Sequence, residues 1–131
     1  MTDVLYQVHM WLAYATTVAV LVGALMGFGR AKDAREFSSG AYVLPMVLLD
    51  IVVTFGLVLY VVSQAWQGRP EIAYVHPVLA VIALGLGHAL LGRAKQQRMA
   101  VDAHRTAARG LLLALLFILA AIGVASAPPF L

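Results

Sequence analysis

The sequence contains no cysteine. That excludes a disulfide framework, a thiolate metal site, a thiol nucleophile and covalent c-type haem attachment. Charge is almost as scarce: charged residues make up 11% of the 131 residues, and only six are acidic. There is no phosphate-binding glycine loop, no HExxH zinc pair and no serine–histidine–aspartate set at a shared depth. Asp50 and Asp102 are the only acids near a histidine, so a carboxylate-bridged di-metal site is not expected. Long strand-like alternation is missing too, which argues against a β-barrel.

What remains is overwhelmingly apolar. Hydrophobic residues make up 63% of the chain, more than a soluble domain of this size can bury. The excess is expected to face lipid. Four apolar runs cover residues 4–28, 41–64, 72–92 and 110–126, each close to the ~20 residues a helix needs to cross the hydrocarbon core. The expected fold is therefore an all-α, integral-membrane, four-helix up-and-down bundle forming a single domain over residues 1–131. Pro128 and Pro129 stop the last run. The start of the chain is acidic rather than basic, and the run behind it is too long for a signal-peptide core, so it is read as the first span.

Basic residues orient the bundle. Of the nine Lys and Arg residues, all but Arg69 lie in the first and third connections, residues 30–40 and 93–109. The positive-inside rule puts both connections in the cytoplasm and both termini on the outer side of a cytoplasmic (inner) membrane. Trp11, Trp66, Tyr6 and Tyr74 then gather near the outer interface. Acidic lipid head groups, not nucleic acid, are the expected counter-ions of the basic loops.

Ionisable groups inside a span are costly and are functional candidates by default. His9 in the first span and His76 in the third both stand roughly 6–8 Å below the outer boundary. Two imidazoles at one depth on two helices suit the axial positions of a six-coordinate b-type haem. Toward the membrane centre, His9 is followed on its own helix face by Ala13, Thr16, Gly23 and Gly27. His76 is followed in the same way by Ala80, Ala83 and Gly87. Small side chains leave room for a flat macrocycle, and Ala13, Thr16, Ala80 and Ala83 are the expected pocket residues. The same spacing also serves plain helix packing, and a lone histidine near an interface often only hydrogen-bonds a neighbour. Pro77 sits beside His76, where it can help to aim the ring.

Further in, His88 lies near the inner boundary and Met46 matches its depth, which makes them the candidate pair for a second haem. His104, between Asp102 and Arg105 in sequence surroundings rich in charge, is read as a solvated surface residue. Asp50 falls close to the midplane, where a carboxylate is protonated or paired. His88, Thr54 and Thr16 are its candidate partners, for a proton relay, a quinone contact, an ion site or a structural lock. Gln7, Ser63 and Gln64 could line a small polar pocket at the outer end.

The segment from His76, Pro77, Val78, Leu79 and Ala80 through Gly87 and His88, together with His9, resembles the small membrane-embedded b-type cytochromes, the group that includes the cytochrome b561-like four-helix bundles. The likeness lies in the plan of the bundle, and a second full histidine pair is missing. It implies haem b held by His9 and His76, one haem and at most two. The expected role is single-electron transfer or haem handling, with a quinone or a redox protein as partner, as a redox component without substrate turnover of its own. The alternative reading is a non-haem accessory subunit, or a proton or metal-ion pathway protein, built on Asp50 and His88. A metal ion on the outer side would use His9, His76 and Met10. Either reading admits a homo-oligomer or a place in a larger complex.

Overall fold

A computed structural model describes residues 2–126. Four long helices form it: α1 (Thr2–Lys32), α2 (Val43–Val62), α3 (His76–Ala94) and α4 (Ala100–Ser126). A 3-10 turn, Ser39–Tyr42, leads into α2, and a second, Ala65–Gln67, follows it. A π-helical turn, Glu71–Val75, runs straight into α3. With these lead-in turns, all four helices are long and apolar enough to cross a membrane. No strand occurs among the described residues. The prolines expected to stop the last helix, Pro128 and Pro129, lie outside the described residues.

Each helix packs on its neighbours in sequence, and α4 closes the ring against α1. Alternating direction follows from which ends meet. His9, early in α1, lies by Gly56, late in α2, and by His76, at the start of α3. Tyr42, just before α2, meets Gly27, late in α1, and His104, early in α4. The bundle therefore runs up and down.

Helix α4 is its spine. Ala107, Leu111, Ala114, Leu115, Ile118 and Ala121 recur at helical spacing and are all buried. Alanine and glycine on this face let backbones approach closely: a Cβ at Gly110 would stand 2.7 Å from Leu90 Cβ on α3. The seam between α2 and α3 is the thinnest, and α3 is the least covered helix. Only 11% of its apolar window is buried, against 44% for α4. Large apolar side chains such as Val18, Leu25, Leu44, Val61 and Leu116 point outward from the bundle.

The fourth helix starts well before its apolar run, at Ala100, because Ala103, Ala107 and Ala108 extend the buried face of α4 toward the basic end. This overturns the reading of His104 as a solvated residue: it is fully buried. Its Nε2–H donates to the carbonyls of Arg35 (3.1 Å) and Glu36 (3.3 Å). That leaves Nδ1 to accept from the Tyr42 hydroxyl at 2.6 Å. Phe37 packs over both rings. His104 is thus a latch that ties the first basic connection to α4.

Candidate functional site

His9 and His76 face each other across the bundle. Their ring centroids are 6.2 Å apart with ring planes at 80°. Both rings are partly buried. A cleft of about 430 Å³ opens around them, within the range of about 300–1,000 Å³ typical of small-molecule and cofactor sites. Thr16, Leu49 and Ile118 form its floor, Ala13, Val53, Gly56 and Ala80 its walls, and Thr2, Tyr6, Ser63 and Ser126 its polar mouth.

Each histidine is held differently. His76 Nδ1–H donates to the carbonyl of Ala121 on α4 at 2.8 Å. With the proton on Nδ1, the lone pair lies on Nε2, which is how a ligating histidine is usually oriented. His9 packs against α2 with its Cε1 edge toward Gly56, which makes room: a Cβ there would stand 2.7 Å from His9 Cε1. His9 Nδ1 is buried and makes no hydrogen bond, although the Val52 backbone lies close to the ring. A buried polar atom left without a partner is costly.

The backbone under His76 is built for this position. Pro77 has no N–H, so the carbonyl four residues back, Ala73 O, loses its helical donor. The Tyr60 hydroxyl replaces it, donating at 2.9 Å from α2. The π turn is closed by His76 N–H, which reaches Glu71 O. Pro77 thus marks a junction between π and α geometry, and Tyr60 braces it across the bundle.

The stripes of small residues divide by depth. Ala13, Thr16 and Ala80 line the cleft. Thr16 also donates to Leu48 O at 3.3 Å. Ala83 is fully buried in the core and does not line the cleft. Further in, glycine serves packing alone. A Cβ at Gly23 would meet Leu111 and Pro45 at 2.9 Å, and one at Gly87 would meet Met46 Sδ at the same distance. Met46 is accordingly buried against Gly87, whereas His88 turns outward.

His88 pairs instead with Asp50, one of its expected partners, through Nε2 and Oδ1 at 2.7 Å. The pair lies open on the outside of the bundle, with side chains 52% and 46% exposed. Among the described residues no three His, Asp or Glu side chains gather where they could hold a bare metal ion. Gln7 and Gln64 are exposed, and only Ser63 of the expected polar trio reaches the cleft. Three contributors escaped the sequence reading: Gly56, Tyr60 and the Ala121 carbonyl. The Pro77-to-Ala73 offset was the available signal for a brace such as Tyr60. Gly56 offered a weaker one, as the single glycine in α2.

Compared with protein families, characterised proteins and solved structures, the chain matches none.

Proposed function

We propose that this protein is a membrane-embedded b-type haem protein that holds one haem b between His9 and His76, near the outer face of a cytoplasmic membrane, for single-electron transfer or haem handling. The spacing of the two imidazoles carries the reading. A ring nitrogen bonds a metal ion at about 2.0–2.1 Å, so two imidazoles on opposite sides of one ion have centroids about 6–6.5 Å apart. The observed separation is 6.2 Å. The cleft around the rings and the His76 tautomer set by Ala121 agree with it. Two protein ligands are too few for a bare ion, but they suffice for a macrocycle that brings four nitrogens of its own.

Bound haem would supply a one-electron iron couple. The chain's part is to hold and tune it. Ala121 fixes the His76 ring and raises its basicity. Apolar walls exclude water, which is one of the levers on the potential. The apolar exterior supports a lipid environment. The concentration of Lys and Arg at the end of the bundle away from the cleft supports an outward-facing site. A quinone or a redox protein would be the electron partner. His88, engaged with Asp50 and turned away from Met46, gives no support to a second haem.

The test is an optical spectrum of the detergent-purified chain, oxidised and then reduced, with a pyridine haemochrome count. The expected result is a low-spin b-type spectrum with one haem per chain. His9→Ala and His76→Ala should each lose it while still inserting. A chain that stays colourless after haem reconstitution, or normal spectra in both variants, overturns the assignment.

A further inference from the structure

Asp50 and His88 have no place in the haem reading. Asp50 lies at the middle of the apolar segment Ser39–Val62, and His88 lies about 8 Å from the middle of Glu71–Ala94. Both are well inside a hydrocarbon half-thickness of about 15 Å. Yet roughly half of each side chain is exposed. In lipid, polar groups at this depth face the bundle interior or another protein.

The surface around the pair has the form of a helix-packing face. Gly85, Ala89 and Gly92 share the outward face of α3 with His88, and all are exposed. Nothing stands within 4 Å of a Cβ built at Gly85 or Gly92. Small residues at this spacing are what lets membrane helices approach. Thr54, one turn from Asp50 on α2, is exposed as well. The face also follows the α2–α3 seam, where the bundle covers itself least.

We infer that this face is the dimer interface of the protein, and that its occupant is a second copy of the chain. The patch complements itself. The pair uses one nitrogen and one oxygen, leaving His88 Nδ1 and Asp50 Oδ2 without hydrogen bonds. His88 has a second ring nitrogen that can carry an N–H to give. Asp50 has a second oxygen to receive one. A two-fold axis brings an identical patch opposite, so that an N–H at each His88 Nδ1 meets the second Asp50 oxygen of the other copy. The inference rests on the four helices crossing a membrane, and not on haem.

The natural absence of cysteine makes the test clean, since a single introduced thiol has no competitor. Gly85→Cys or Gly92→Cys, oxidised in native membranes, is expected to give a band at twice the 14.0 kDa chain mass. Val18→Cys, on the outward face of α1, is the control and should not. Adding Asp50→Leu with His88→Leu to Gly92→Cys should reduce the band to the control level. Gly85→Leu, which fills open space and leaves the bundle's own packing untouched, should do the same. Cross-linking no greater than the control, cross-linking to a different protein, or a band that survives both changes overturns the inference. Alkaline carbonate extraction separates the two proposals. A chain that is washed out overturns the membrane reading and this inference together. A monomeric chain that resists extraction overturns this inference alone, and a colourless dimer overturns only the haem reading.

Discussion

Single atoms decide two positions. At Gly56 the margin is one hydrogen: an added Cβ would stand 2.7 Å from His9 Cε1. The α2 backbone cannot retreat without opening the seam, so the ring must rotate or slide. If the proposed haem is bound, Gly56→Ala is therefore expected to weaken its retention and alter the low-spin spectrum while the helices remain intact. Gly123→Ala, where a Cβ meets nothing within 4 Å, should leave the spectrum unchanged. Equal haem content in both variants would show that His9 does not need its observed place. The second position is His104. Removing its imidazole strands the Tyr42 hydroxyl and two loop carbonyls and opens a buried void. His104→Ala should cost about 3–5 kcal/mol, combining unsatisfied groups with a cavity. Tyr42→Phe, which strands only Nδ1, should cost about 1–3 kcal/mol. The two losses should be far from additive, because both break one contact. Thermal unfolding in detergent of the two single variants and the double variant measures the coupling, and additive losses would count against the latch.

At the scale of elements, the junction between the π turn and α3 is the least obvious construction. Pro77 removes one donor, and Tyr60 supplies another from the neighbouring helix. Tyr60→Phe should therefore destabilise the protein by about 1–3 kcal/mol, read by thermal unfolding in detergent. Pro77→Ala restores the missing N–H, so on that background Tyr60→Phe should cost much less. Equal cost on both backgrounds would mean that Tyr60 does not serve the orphaned carbonyl. This junction also shows where sequence reading stops. Span lengths were legible because hydropathy is a local sum. The shared depth of His9 and His76 was legible because helical rise is constant. His104 was misread because its charged neighbours in sequence outweighed an alanine pattern whose meaning depends on what packs there. Asp50 could be given a depth and three candidate partners. Its actual choice of His88, and the outward turn of both, depend on helix rotation, which a helix apolar on every side does not reveal.

The whole molecule is polar in its charge distribution. Its cleft opens at one end, and eight of its nine Lys and Arg residues lie toward the other. Only Arg69 stands near the cleft end, in the short connection between α2 and α3. Because the bundle alternates direction, one bit of information orients all four helices, and the basic excess supplies it. The expected outcome is that a cysteine placed at Gln67, in the turn after α2, reacts with a membrane-impermeant maleimide on intact cells. One placed at Gln96, between α3 and α4, should react only after permeabilisation. Both positions are exposed, so access to the reagent and not burial decides the result. The reverse pattern would turn the cleft, and any haem within it, toward the cytoplasm. It would leave the 6.2 Å approach of His9 and His76 untouched. The approach of the two histidines is internal to the bundle, whereas the end that faces outward follows from charge in the loops, so the two properties can fail independently.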